Sequence, residues 1–131
     1  MLLDTSGLLC LFDADDFRHA EAERLYESAT NRLTHNYVLA EFVPLCQSRG
    51  FDRRTSLAFV ADLLDSPEVE VAWVDETVHR TALALLQARL DKGYSLCDAV
   101  SFVLMRQRGI AESLTTDHHF SQEGFVRLLQ A

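Results

Sequence analysis

Four carboxylates stand at positions where local structure alone gives little reason to expect them. Asp4 and Asp117 each follow a short apolar run, and Glu41 and Asp98 each lie early in an apolar stretch with helical spacing. Open α/β sheets place their ligand sites at the carboxyl ends of the strands. If both runs are neighbouring parallel strands, and helices enter from the same edge, all four acids meet there.

Placing the four carboxylates at one edge of the sheet has a chemical consequence. Clustered carboxylates repel one another, and a like-charge pair at ~4 Å costs about 4 kcal/mol at an effective dielectric of 20. The only lysine is Lys92, which is not placed to neutralise them. The acids are therefore either dispersed and structural, or they bind a hard cation. All-oxygen ligands suit Mg²⁺ or Mn²⁺, and the matching chemistry is phosphodiester hydrolysis.

Each acid also has a structural interpretation. Asp98 follows Ser95 by three residues, which fits a capping box with Asp in place of the usual Glu. Asp4 fits a helix cap, Asp117 fits an Asx-turn, and Glu41 fits a partly exposed helix face near a favourable helix dipole. Singly, each structural role is favoured; the four together favour a metal site.

The elements that position these acids follow from the apolar patterning. Short apolar runs predict strands near residues 1–3, 69–74, 111–115 and 125–129, and a further short strand is expected over residues 31–34. Helical spacing and capping residues predict helices near residues 7–12, 18–29, 37–49, 52–65, 75–90 and 96–108. Strands separated by helices imply right-handed crossovers. We expect one α/β domain over residues 1–131, with a mainly parallel central sheet flanked by helices.

Several local expectations can be tested against the structure. Pro44 lies inside the third predicted helix, where it predicts a kink or an early end. Asn36 is expected to cap that helix, and Trp73, within a valine-rich strand, is expected in the core. The helix over residues 96–108 is apolar on nearly every face and should be buried.

Composition limits the class of protein. Apolar residues make up 48% of the chain, no run approaches the ~20 needed for a membrane span, and no signal peptide is evident. Three cysteines in apolar runs indicate reduced core thiols, so we expect a cytoplasmic protein. The net charge of −8 argues against broad, non-specific affinity for nucleic acid.

The acidic motifs resemble those of a known family. Asp4-Thr5-Ser6, Glu41, Ser95-Leu96-Cys97-Asp98-Ala99 and the run from Thr115 to Phe120 (TTDHHF) are similar to the four motifs of PIN-domain nucleases. The likeness is closest to the VapC-type toxins of bacterial and archaeal toxin–antitoxin modules, and it spans essentially the whole chain in order. One departure is Cys97, where a threonine often precedes the third acid.

The resemblance implies a PIN-like fold and a Mg²⁺- or Mn²⁺-dependent endoribonuclease that is a homodimer and is inhibited by a small antitoxin protein. It implies that Glu41 ligates metal or orients the attacking water. It also implies roles for the remaining motif residues: metal ligation by Asp4, Asp98 and Asp117, support of these carboxylates by the hydroxyls of Ser6 and Thr115, and helix capping by Ser95.

Other functions stay open beside this one. A PIN-like regulatory or protein-binding module without cleavage activity fits the same sequence. A phospho-acceptor receiver domain is disfavoured because Lys92 follows a helix, not a late strand. A phosphatase of the haloacid-dehalogenase type is disfavoured because Ser6 stands where that chemistry needs a second aspartate.

Two further groups have a functional and a structural interpretation. His118 and His119 fit RNA contacts or acid–base groups, but a packed and a solvated turn histidine are favoured. Arg49, Arg53 and Arg54 fit phosphate binding near the third helix, but a solvated helix surface is favoured.

Overall fold

The computed structural model describes residues 1–131 and contains a single parallel sheet surrounded by helices. The strands are β1 (Leu2–Leu3), β2 (Leu33–His35), β3 (Glu70–Ala72), β4 (Glu112–Leu114) and β5 (Val126–Arg127). The helices are α1 (Thr5–Phe12), α2 (His19–Ser28), α3 (Asn36–Ser48), α4 (Arg53–Asp65), α5 (Glu76–Gln87), α6 (Leu96–Arg108) and α7 (His118–Gln122).

The sheet has the strand order β3-β2-β1-β4-β5, and every neighbouring pair is parallel. The predicted mainly parallel sheet flanked by helices is therefore confirmed. β1 is central: Leu2 pairs with Leu33 on one side, and Leu3 pairs with Leu114 on the other. Because all five strands run the same way, their carboxyl ends share one edge.

Two apolar clusters cover the sheet. Leu3 belongs to the cluster formed with α1, α3 and α4, whereas Leu2 belongs to the cluster formed with α5 and α6. Successive strand residues point to opposite faces, so these two neighbours divide β1 between the two layers. α6 is buried from Cys97 to Met105, as its apolar character predicts.

A glycine allows α1 to pack closely against β4. A Cβ atom built on Gly7 would lie 1.9 Å from the carbonyl oxygen of Leu114, closer than real Cβ contacts come. Only glycine fits at this contact. The contact holds the start of α1 beside the end of β4, the place where two of the candidate acids are carried.

Three local expectations need correction. α3 runs through Pro44 to Ser48, so of the two expected effects of Pro44 the early end is wrong, and the kink stays a prediction. Trp73 has 69% of its surface exposed, because it follows β3 at the uncovered edge of the sheet. His35, not Asn36, is the N-cap of α3, while the Asn36 side chain accepts a 2.8 Å hydrogen bond from the Val74 backbone.

Two further properties concern the chain as a whole. All three cysteines are buried and unpaired, as expected. None of the helices combines the length and the apolar character that crossing a membrane requires.

Candidate active site

The structure places the four predicted acids around one cleft at the carboxyl edge of the sheet. Asp4 directly follows β1, and Asp117 lies three residues beyond the end of β4. Asp98 is in the first turn of α6, and Glu41 lies in the first half of α3. The remaining residues that line the cleft are Thr5, Ser6, Leu45, Arg49, Gly93, Ser95, Thr116 and His119.

Asp4 is buried and held by hydroxyl groups from a neighbouring strand end. Thr115 donates a 2.7 Å hydrogen bond to Oδ2 of Asp4, and the Ser6 hydroxyl lies 3.1 Å from the Thr115 hydroxyl. The Thr116 backbone donates to Ser6 at 2.9 Å. Asp4 is the N-cap residue of α1, but its side chain makes no capping hydrogen bond. The structural interpretation of this carboxylate as a cap is therefore wrong.

Asp98 combines a capping role with a place in the cleft. The predicted capping box is present: the Asp98 backbone donates to the Ser95 hydroxyl, and the Ser95 backbone donates to Oδ2 of Asp98, both at 3.0 Å. Oδ1 of Asp98 has no hydrogen-bond partner in the protein. Capping thus orients this carboxylate and leaves one oxygen available.

Asp117 is oriented in a similar way by α7. Its Oδ1 accepts a 2.9 Å hydrogen bond from the His119 backbone, which is the predicted Asx-type turn, and its own backbone N–H donates to Thr115 at 3.0 Å. Oδ2 has no hydrogen-bond partner in the protein. Asp98 and Asp117 therefore share one feature, a carboxylate fixed through one oxygen and free at the other.

His119 is a site residue whose position was not predicted from the sequence. Its Nδ1 lies 3.1 Å from Oδ2 of Asp98 and 3.4 Å from Oδ1 of Asp117, while its ring packs edge-on against Tyr94. His118 beside it is largely exposed. The favoured pair of one packed and one solvated histidine is observed, but the packed one bridges two acids. The only signal in the sequence was its position two residues after Asp117.

Glu41 lines the cleft and is exposed. Thr5 donates a 3.1 Å hydrogen bond to its Oε2, which ties the carboxylate to the start of α1. Cys97 is buried close to the acids. Burial raises the pKa of the Cys97 thiol far above its usual value, and the carboxylates of Glu41 and Asp4 raise it further. This thiol therefore stays protonated.

Burial and the neighbouring carboxylates disfavour the charged forms of Asp4 and Asp98. Burial raises the pKa of Asp4 to about 7, although the Thr115 hydrogen bond lowers it, and the charges of Asp98 and Asp117 raise it further. Burial also raises the pKa of Asp98, with Asp117 adding to the effect and the Ser95 and His119 contacts opposing it. No Lys or Arg forms an ion pair with any of the four acids; histidine is their only basic contact.

This donor set suits a divalent cation. Free carboxylate oxygens without a neutralising lysine or arginine are the ligands that Mg²⁺ and Mn²⁺ prefer. A second, more compact group consists of Asp117, His118 and His119, whose candidate ligand atoms all lie within 4.8 Å of one another. Since Nδ1 of His119 already contacts two carboxylates, the oxygen-rich set fits a hard cation better.

A five-stranded parallel sheet with carboxylates gathered at its carboxyl edge defines the class: an α/β domain with an acidic cleft. The chain belongs to the PIN-domain family, whose family model matches residues 1–125. The resemblance drawn from the sequence motifs is therefore confirmed.

Individual relatives extend this likeness. The 23S rRNA-specific endonuclease VapC20 of Mycobacterium tuberculosis, from strain CDC 1551 / Oshkosh and from strain ATCC 25618 / H37Rv, is 35% identical over 129 residues, which is 98% of this chain and 97% of the relative. A crystal structure of M. tuberculosis VapC20, described as a sarcin-ricin loop cleaving toxin, superposes with a TM-score of 0.87 at 34% identity and covers 95% of both chains.

Proposed function

We propose that this protein is a metal-dependent endoribonuclease that hydrolyses RNA phosphodiester bonds and is the toxin of a toxin–antitoxin module. The observation that carries the proposal is the cleft itself, where four acids meet and no lysine or arginine pairs with them. The extensive likeness to VapC20, named as a 23S rRNA-specific endonuclease, supports RNA as the substrate. The nuclease is one PIN-like domain over residues 1–131.

Asp4, Asp98 and Asp117 would hold Mg²⁺ or Mn²⁺ through carboxylate oxygens. A bound divalent cation supplies Lewis-acid activation of water and stabilises charge on phosphate oxygens. Thr115 and Ser6 orient Asp4, and Ser95 orients Asp98, through the hydrogen bonds described above.

Glu41 would orient the attacking water. The hydrogen bond from Thr5 engages Oε2, so Oε1 is the atom available to accept a hydrogen bond from that water. The side chain lines the cleft and is exposed, so a substrate and its water can reach it. General acid–base groups of this kind contribute roughly 10²–10⁴-fold to rate.

The partners follow from the same likeness. We expect a small antitoxin protein that blocks RNA cleavage, a homodimer, and action in the cytoplasm on cellular RNA. Exposed apolar side chains, among them Phe17, Trp73 and Leu90, offer surface for such contacts. Light scattering of the purified chain tests the homodimer.

Cleavage of total bacterial RNA and of ribosomes, with Mg²⁺, Mn²⁺ or a chelator, tests the function. We expect wild-type cleavage only with a divalent cation, and a loss of about 100-fold or more in Asp98→Asn, which keeps the side chain's shape but removes its charge. Asp75→Asn is the matched control, because Asp75 caps α5 away from the cleft.

Equal cleavage by wild type and Asp98→Asn would remove the assignment. A thermal-shift titration with Mn²⁺ gives a second readout: a bound cation raises the melting temperature of wild type and of Asp75→Asn, but much less that of Asp98→Asn. Absence of both cleavage and Mn²⁺ stabilisation in wild type would favour a non-cleaving protein-binding module.

A further inference from the structure

Two basic side chains of this protein have no partner within it. The chain has 12 Lys and Arg residues, and all but two of them donate a side-chain hydrogen bond or form an ion pair. The two exceptions are Arg49 and Arg54, and both are exposed. A guanidinium without an internal partner keeps its donors available for an external anion.

Only one of these two arginines faces the acidic cleft. Arg49 lines it, together with Glu41 and Leu45, whereas Arg54, at the start of α4, does not. Glu41 and Leu45 are four residues apart and so lie on one face of α3, and Arg49, four residues further on, is the C-cap residue of that helix. Arg49 follows Glu41 by eight residues, which is about 12 Å along a helix axis. The two residues therefore lie at opposite ends of the side of the cleft that α3 forms.

The Arg49 guanidinium forms no hydrogen bond or ion pair with the nearby carboxylate of Asp16. Arg18 donates to both Asp16 oxygens, at 2.9 and 2.8 Å. These bonds lower the pKa of Asp16 to about 2, and Arg49 makes only a small further contribution. Asp16 is therefore already paired, and it leaves Arg49 free.

Two other arginines donate to segments that adjoin the cleft, and both are therefore engaged. Arg127 is half-buried and donates to the carbonyl oxygen of Thr116, and Arg53 donates to the Gln47 side chain. Arg49 is thus the one unpaired lysine or arginine on a cleft that otherwise presents carboxylates.

An RNA strand entering this cleft meets repulsion from the four acids and from a net charge of −8. A free guanidinium offers the strand a planar, bidentate donor that matches phosphate oxygens. We propose that Arg49 binds a phosphate group of the RNA substrate beside the cleavage site and so positions the strand. This proposal rests on the ribonuclease function proposed above.

Binding of a short fluorescein-labelled single-stranded RNA, measured by anisotropy, tests the proposal without cleavage. In an Asp98→Asn background, Arg49→Ala should weaken binding about tenfold and reduce the slope of log Kd against log salt by about 0.7. Arg54→Ala, the other unpaired and exposed arginine, should change Kd by less than about twofold. Arg49→Lys keeps the charge without the bidentate fork and should fall between Arg49→Ala and the parent.

Cleavage kinetics in the otherwise wild-type protein provide the second readout. Arg49→Ala should raise KM more than it lowers kcat, with an unchanged melting temperature, because Arg49 is exposed and its side chain forms no hydrogen bond or ion pair within the protein. Unchanged KM and Kd in Arg49→Ala, or equal weakening by Arg54→Ala, would overturn the role of Arg49 and leave the nuclease assignment intact. If the wild-type protein neither binds nor cleaves RNA, both proposals fail.

Discussion

Thr115 donates a 2.7 Å hydrogen bond from its Oγ1 to Oδ2 of Asp4, across the ends of two neighbouring strands. Thr115 is fully buried, and its Oγ1 also accepts a hydrogen bond from the backbone of Asp117 at 3.0 Å. A single hydroxyl group therefore links the acids that follow β1 and β4. Two of the candidate metal ligands are fixed relative to each other through this one side chain.

Replacing Thr115 tests that link. Thr115→Val keeps the shape of the side chain but leaves Asp4 and the Asp117 backbone without their shared partner, so we expect a loss of about 1–3 kcal/mol in the free energy of unfolding. Thr115→Ser keeps the hydroxyl and should lose less than half as much. Urea denaturation measures both variants, and equal stability of Thr115→Val and wild type would contradict the link.

Gly7 is predicted to be irreplaceable even by alanine. The added Cβ would lie 1.9 Å from a backbone oxygen of Leu114, which cannot rotate away, so α1 must shift from β4. We expect Gly7→Ala to cost about 3 kcal/mol or more of stability. Gly93→Ala is the control, because its Cβ would come no closer than 3.7 Å to His119. Thermal melting of both variants gives the comparison, and similar melting temperatures would refute the steric argument.

His35 makes stability depend on pH. It is fully buried, accepts a hydrogen bond from the Val38 backbone through Nδ1, and has Nε2 2.8 Å from the Ser101 hydroxyl. This arrangement requires the neutral ring with its proton on Nε2. Burial lowers the pKa of His35 to about 4, below its ordinary value of 6.5.

Since the pKa is lower in the folded state, the unfolded chain binds the proton first as pH falls. The contribution of His35 is present above pH 6.5 and is lost as pH drops towards 4, by about 3 kcal/mol in total. We expect wild type to lose more stability than His35→Gln over this range, measured by urea denaturation at several pH values. Parallel pH profiles of the two proteins would exclude this role.

The Glu123 carboxylate, just after α7, connects that helix to α6 and to the segment between α5 and α6. Its side chain is 4% exposed and accepts hydrogen bonds from Arg89, Arg106 and Tyr94, at 3.0, 2.7 and 3.1 Å. Burial alone would raise the pKa of this carboxylate, but the three donors outweigh it and lower the pKa. The charged form is therefore the one that stabilises the fold.

Glu123→Gln should destabilise the protein by about 2 kcal/mol, because one amide oxygen cannot replace two charged acceptors. The matched control is Glu21→Gln, which breaks an exposed pair with Arg24 and should have a much smaller effect on stability, because solvent screens that pair. Chemical denaturation at neutral pH measures both. Equal losses would show that burial adds nothing to the strength of the Glu123 contacts.

Features that depend on neighbours along the chain were predicted well. The capping box of Ser95 and Asp98 and the turn at Asp117 both form as their spacing indicates. The parallel sheet was predictable because short apolar runs alternate with helical periods. Capping and strand burial need only a few residues in sequence, so local patterns suffice to predict them.

Several features that depend on the packing of distant elements were not predicted. The sequence predicts Trp73 in the core, but it does not reveal that this residue directly follows β3, an edge strand of the sheet. The sequence predicts His119 only as a turn residue, whereas the packing of α7 against α6 places its ring beside Asp98. The sequence predicts Gly7 only as the start of a helix. The contact that requires a glycine there is made by β4, more than 100 residues later.

The sequence by itself determined which residues can do chemistry, since it set carboxylates at strand ends and helix starts with no lysine nearby. The tertiary structure decided which polar side chains share the cleft. It placed His119 in contact with both Asp98 and Asp117, and it placed Arg49, but not Arg54, among the residues that line the cleft. The physical reason is that charge and capping act over a few residues, whereas the direction in which a side chain points depends on the close packing of distant elements.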